Sequence, residues 1–195
     1  MPYYQHVLII AVVAAAAWCL VIYFWPRMLL SVYKRAILVK GFGEGPIPVN
    51  TLYTPPQALF ADPLHLTGSA SNLMNTGVNR DTLYSGGWLD LRNGPLVLHV
   101  PEMNDRYYSV QFTDPSKNTN FAYVGTRATG AQEGDFLITG PGWSGQAPQG
   151  VKQISSPKNA VLVFARVLVY SDSDLGTAYG LSKQIQLTPL SRWQS

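Results

Sequence analysis

The 195 residues are 47% hydrophobic and only 13% charged, with a formal net charge of +3 and an isoelectric point near 9.0. The basic excess is local: Arg27, Lys34, Arg35 and Lys40 follow an apolar run, and the chain beyond Lys40 carries ten basic against eleven acidic residues. A near-neutral body has no basic stripe for nucleic acid, which excludes that partner, and the single cysteine, Cys19, excludes an intrachain disulfide.

The first element is VLIIAVVAAAAWCLVIYFW, Val7 to Trp25, nineteen residues without a charge. As a helix it covers about 28 Å, close to the hydrocarbon thickness of a bilayer. Tyr23, Trp25 and the following Pro26-Arg27 match an interfacial belt. A cleaved signal peptide would carry Lys or Arg before its apolar core, and residues 1–6 have none. Trp18, just before Cys19, is too large for a lipoprotein cleavage site. Residues 1–40 are therefore read as a single-pass transmembrane helix with a basic juxtamembrane segment, its bilayer contact through Val7–Trp25. The basic collar suits anionic headgroups and favours a cytoplasmic body. Met28 to Val39 either continues the helix or lies at the interface, with Met28, Val32, Ala36 and Val39 near one face.

Residues 41–48, GFGEGPIP, form a linker. Pro46 stands where a phosphate-binding helix would open, so the G-x-G is no nucleotide signal. Residues 49–195 are read as one β-rich domain, opening with a proline-broken extended stretch. TLYSGGWLDL and PLVLHV are joined by RNGP, where Asn93-Gly94 predicts a hairpin. Gly86-Gly87 mark a bulge or a close backbone approach. RYYSVQFT alternates, with Tyr108, Val110 and Phe112 on one side and Tyr107, Ser109, Gln111 and Thr113 on the other. NFAYVGT and GDFLITG follow. NAVLVFARVLVY, apolar apart from Arg166, reads as a central strand covered on both faces. Asp172 and Asp174 open a helix with Leu175, Ala178, Tyr179 and Ile185 near one face, stopped by Pro189. The expected class is mainly β: an antiparallel jelly-roll-like sandwich of about seven strands, with an N-terminal transmembrane helix and a C-terminal helix.

Chemistry-bearing motifs are scarce. His6, His65 and His99 are far apart and no metal-binding spacing occurs, so no metal and no cofactor is expected. His99, on the strand face opposite the leucines, reads as a structural histidine. No Gly-x-Ser-x-Gly is present, and a triad built from Ser85 and His99 carries little weight. Asp114, in TDPSKN, reads as a turn aspartate bonding its own backbone. What remains is a polar and aromatic set. Arg80, Asp81, Tyr84, Arg106, Tyr107, Gln111, Asn120 and Tyr123 are the ligand-binding candidates, aromatics for area and Arg and Gln for orientation. The competing reading makes Arg80 and Asp81 fastenings, with Arg80 or Arg166 paired to Asp81 or Asp90.

IPVNTLYTPPQALFADP, NRDTLYSGGWLDL, PLVLHVPEMNDRYYSVQFTDPSKNTNFAYVG and SDSDLGTAYGLSKQIQLTPL resemble the N-terminal module of the domain of unknown function 1254 family. The resemblance spans Pro46 to Leu190 and implies a β-rich, jelly-roll-like protein, commonly exported, which pulls the domain towards a periplasmic or extracytoplasmic side. It implies no reaction and no catalytic residue. It also implies a following domain of unknown function 1214, expected either from a separate polypeptide partner or as a part missing from a truncated product. Three functions fit these residues: a membrane-tethered module binding a small ligand or docking a partner; an enzyme, such as a hydrolase, using Arg80 and Asp81 with a nearby tyrosine or histidine; and a structural subunit of a membrane complex.

Overall fold

The computed structural model describes residues 2–41, 45–57 and 81–193. Arg80, His65, part of the 41–48 linker and most of the proline-broken stretch lie outside the described residues.

Helix α1, Tyr3–Lys40, is continuous through Pro26 and spans about 57 Å at 1.5 Å per residue. It is long and apolar enough to cross a membrane, and its apolar window buries nothing in the rest of the chain. Arg27 donates to the Tyr23 carbonyl at 2.7 Å and lies 3.9 Å over the Tyr23 ring. The C-terminal third of α1 behaves differently. Ile37 is buried against Trp88 and Ile47, with Leu30, Tyr33, Leu38, Tyr53 and Leu162 around them. Met28 to Val39 thus continues the helix, packing through Leu30, Tyr33 and Ile37 while Met28, Val32 and Val39 are exposed. The i, i+3, i+7 spacing of the packed residues is an ordinary helical stripe. It is turned towards the sheet because Trp88 offers more apolar area than solvent does.

Among the described residues eight strands follow: β1 Thr82–Asp90, β2 Leu96–Val100, β3 Tyr108–Asp114, β4 Thr119–Gly125, β5 Gly134–Thr139, β6 Lys152–Ser155, β7 Ala160–Leu168 and β8 Gln186–Pro189, with helix α2, Leu175–Gln184, before β8. They form two sheets, A in the order β1-β7-β3-β4 and B in the order β6-β5-β2-β8. Every pairing is antiparallel except β5 with β6, which is parallel, so sheet B is mixed. One core fills the space between them: Leu83, Leu89, Val110, Phe112, Val163 and Val167 from sheet A meet Leu96, Leu98, Val100, Phe136 and Ile138 from sheet B. Each of these is 5% exposed or less, and burial of this kind stabilises by about 1.5–3 kcal/mol per large side chain.

The fold departs from expectation at three places. Asn93-Gly94 does not close a hairpin, because β1 and β2 lie in different sheets. Leu91–Asn93 is a 3-10 turn whose Leu91 is buried and bonded through its amide to the Asn159 carbonyl at 2.9 Å. The Asp90 carboxylate accepts the Arg92 amide and pairs with its guanidinium. Gly94, at φ 124 and ψ 171, then sends the chain across to sheet B. The C-terminal helix also ends early: α2 stops at Gln184, and Gln186–Pro189 pairs with β2 instead of extending it. Finally, β7 is central in sheet A, but its outward residues Leu162, Phe164, Arg166 and Leu168 are only half-buried. Among the described residues, the cover on that outward face is at Leu162, which packs against the cluster of Ile37, Ile47 and Trp88.

Gly86-Gly87 resolve as a close approach. The β1–β7 register runs unbroken from Thr82 to Asp90. A Cβ on Gly87 would sit 2.1 Å from the Thr51 carbonyl oxygen. The segment around Tyr53 thereby reaches the free side of β1, exchanging both backbone bonds with Gly86 at 2.9 Å.

Candidate functional site

The outward face of sheet A is built by strand alternation. Facing out from β1 are Tyr84, Gly86 and Trp88; from β7, Arg166, Phe164 and Leu162; from β3, Ser109, Gln111 and Thr113. Register sets Tyr84 and Ser109 on either side of Arg166, and Gln111 beside Phe164. On β4, Gln111 faces Tyr123 and Thr113 faces Asn120, with the register slipping between Phe112 and Thr113. That slip is what places Asn120 and Tyr123, three residues apart, on one face. In an unbroken strand they would point to opposite sides.

These side chains form one network. The Asn120 amide donates to the Tyr123 hydroxyl at 2.6 Å, and its Oδ1 accepts from Thr113 Oγ1 at 2.7 Å and Gln111 Nε2 at 2.9 Å. Gln111 Nε2 also donates to Thr113 Oγ1 at 3.2 Å. Its Oε1 receives Arg166 Nη1 at 3.5 Å, the long limit of a hydrogen bond. The Arg166 guanidinium lies 5.1 Å from the centre of the Tyr84 ring, within cation–π range. Among the described residues no carboxylate pairs with Arg166. The expected partner Asp90 is held by Arg92, and Asp81 is exposed at the start of β1, where its carbonyl accepts the Val169 amide at 2.7 Å.

Four of the eight candidates, Tyr84, Gln111, Asn120 and Tyr123, are thus assembled in one place. Tyr107 is at the end of the same face, with Arg127 5.6 Å over its ring and its carbonyl bonded to the Leu168 amide. Asp81 stands apart, and Arg80 lies outside the described residues. Arg106 is the candidate with a clearly different job. It is buried, and its guanidinium grips Asp174 through two bonds of 2.5 and 2.7 Å while donating to the Leu168 carbonyl at 2.7 Å. It lies 4.7 Å over the Tyr170 ring, and Asp174 also accepts the Tyr170 amide at 2.9 Å. The hydrogen bonds from Arg106 hold the Asp174 carboxyl below its ordinary range despite partial burial, and Asp174 raises Arg106 in turn. A bidentate fork between the entrance to β3 and the turn before α2 is a fastening. The fastening reading of Arg80 and Asp81 turns on Arg80, which lies outside the described residues.

The other polar groups that the sequence singles out lie away from this face, and Asp114 keeps one buried carboxylate oxygen, Oδ2, without a hydrogen-bond partner. His99 Nδ1 meets Asp135 at 3.0 Å across the outer side of sheet B, a structural pair as expected. Ser85 is buried under sheet A in a chain of hydroxyls, 2.7 Å from Thr54 and 3.0 Å from Ser182, and it lies in the other sheet from His99. Asp114 closes its turn by accepting the Ser116 amide at 2.8 Å and hydroxyl at 2.6 Å. Burial pushes that carboxyl up, but the Ser116 bonds with the charges of Lys158 and Lys117 outweigh it and hold it low. Among the described residues no cluster of three His, Cys, Asp or Glu side chains could hold a metal. Arg166 and Thr113 are the members of the face that sequence reasoning did not nominate; the cue was Arg166 itself, the one charge in an otherwise apolar strand.

Comparison with one solved structure supports the fold. The chain is similar to the VPA0106 protein from Vibrio parahaemolyticus, with a TM-score of 0.63 and 22% identity over 87% of this chain and 37% of the Vibrio chain. It therefore spans well under half the length of that protein. An uncharacterized protein from Burkholderia cenocepacia aligns at 13% identity and a TM-score of 0.37, over 62% of this chain and 31% of that one. No curated protein matches the chain. The sequence profile described as "Protein of unknown function (DUF1254)" matches residues 63–189, most of the β-rich domain, and the chain belongs to that family.

Proposed function

We propose that this protein is a membrane-tethered binding module: Val7–Trp25 anchors it, and the outward face of sheet A holds a small polar ligand. The observation that carries the reading is the side-chain network from Arg166 through Gln111 to Asn120 and Tyr123, beside the stacked Tyr84. Such a network fixes the direction of its donors and acceptors before a ligand arrives, which lowers the entropy cost of binding. Tyr123, 49% exposed, and half-buried Phe164 add apolar area next to it. The catalytic reading has less support. Asp81 is exposed at a strand end, and His99 belongs to the other sheet.

The anchor also sets where the face operates. Leu30, Tyr33 and Ile37 join one cluster with Trp88 of the outward face, with Leu162 packed against the same cluster, so the domain is held close to the end of the span. We place the domain on the extracytoplasmic side, since a body of this length translocates despite flanking charge. Phosphatase fused after Ser195 would then be active, and cytoplasmic reporter activity alone would reverse the assignment. For the binding face, the full chain in uncharged micelles would be screened by thermal shift against neutral sugars, organic acids and phosphates. Gln111→Ala and Tyr107→Ala should reduce the shift given by any hit without lowering the unliganded melting temperature. Unchanged shifts in both variants would remove the face from consideration.

A further inference from the structure

We infer that the group bound on this face is a phosphate, carried by a free metabolite or by a lipid headgroup, and that Arg166 receives it. The inference rests on the binding reading above and names its ligand.

A guanidinium in the middle of a sheet has particular requirements. Arg166 is half-buried on the central strand β7. A charge in that position is normally matched by a carboxylate, because partial desolvation without a counter-charge is costly. Arg106 obeys the rule, with Asp174 clamped to it. Arg166 does not: among the described residues it has only the Tyr84 ring and one long bond to Gln111. The two contacts leave most of the guanidinium fork uncommitted, and its donors match the oxygens of a phosphate in a bidentate fashion.

The neighbours are of the right kind. Tyr84 and Ser109 lie directly across from Arg166 on the two flanking strands, and both carry hydroxyls on the outward face. Arg127, over Tyr107 at the end of the face, adds positive charge. No aspartate or glutamate alternates onto this face between Tyr84 and Trp88, between Leu162 and Leu168, or between Ser109 and Thr113. Several donors converging from three strands suit a tetrahedral group with several acceptors.

The second source, a lipid, follows from α1. Leu162, which pairs across the strands with Trp88 in the cluster that also holds Ile37 of α1, is four residues from Arg166 on β7, or about 13 Å at 3.3 Å per residue. A headgroup drawn up beside α1 is therefore within reach, and the collar of Arg27, Lys34, Arg35 and Lys40 enriches anionic lipids there.

The test is calorimetric titration of the full chain in uncharged micelles with inorganic phosphate, soluble dihexanoyl phosphatidic acid, dihexanoyl phosphatidylcholine and methyl glucoside. We expect saturable binding of phosphatidic acid, inorganic phosphate or both, weakened tenfold or more by Arg166→Gln. Gln111→Glu supplies an internal carboxylate to Arg166 and should abolish binding while leaving the melting temperature unchanged or higher, so it decides the matter even if Arg166→Gln fails to fold. A chain with all four collar residues changed to Gln should still bind. Binding of phosphatidic acid alone identifies a headgroup, and binding of inorganic phosphate as well identifies any phosphate group. Phosphate affinity unaltered by Gln111→Glu, or lost only with the collar, overturns the inference. Binding of methyl glucoside without either phosphate, or binding of none of the four, overturns it and leaves the binding face to the wider thermal-shift screen.

Discussion

Removing the charge of Asp174 should be among the most damaging single changes available in this domain. The carboxylate accepts two guanidinium bonds at 2.5 and 2.7 Å and the Tyr170 amide at 2.9 Å, and the Arg106 side chain it neutralises is only 8% exposed. Breaking a buried pair by deleting one partner costs about 3–5 kcal/mol, most of it from the charge left behind. The Asp174 side chain is 17% exposed, which lets water reach the stranded guanidinium and places Asp174→Asn near the lower end, about 3 kcal/mol. For a chain of this length that is a fall in Tm of about 6–12 °C. The double variant Arg106→Met with Asp174→Leu removes both charges and should recover most of the loss. The assay is thermal denaturation of the full chain in uncharged micelles, followed by tryptophan fluorescence. Asp174→Asn costing under about 1 kcal/mol, or a double variant as unstable as the two single losses summed, would refute the clasp.

The same pair sets an acid limit. The folded Asp174 carboxyl is held below its unfolded value, mainly by the Arg106 hydrogen bonds, so its contribution is complete above the ordinary aspartate range and is lost as pH falls through the depressed folded value. Wild-type Tm should drop more steeply than that of Asp174→Asn as pH is lowered below about 4, and parallel curves would contradict this. Gly87→Ala should loosen the segment 45–57, because the added methyl would overlap the Thr51 carbonyl; faster backbone hydrogen exchange in that segment, with β3 unchanged, is the expected readout. Ile37→Asp should release the end of α1 from Trp88 and speed exchange around Trp88 and Ile47, leaving the core between the sheets protected. Protection unchanged at Trp88 would mean that the helix does not hold there in the full protein.

Much of the β-domain was legible because its strands alternate. Tyr108, Val110 and Phe112 were separated from Ser109, Gln111 and Thr113 by period alone, and the structure buries the first set more deeply than Ser109 and Gln111. The apolar run of α1 was equally plain from its lack of charge. What failed depended on contacts distant in the chain. Asn93-Gly94 carries a local hairpin signal, but Leu91 is worth more buried in the core than turned back along β1, and the chain crosses sheets. β8 reads as a helix continuation until its pairing with β2 is known. The site was half legible. Tyr84, Gln111, Asn120 and Tyr123 were nominated for their chemistry, whereas their assembly needed the register slip in β4, which no local pattern announces. Arg106 and Asp174 are 68 residues apart, and nothing in either neighbourhood points to the other.

The central claim is that the outward face of sheet A binds a small molecule. Native mass spectrometry of the full chain released from membranes tests it whatever the chemical identity of that molecule. The wild type should retain an added mass that Gln111→Ala and Tyr123→Ala both lose at unchanged melting temperature. Identical spectra for the wild type and both folded variants would contradict the account.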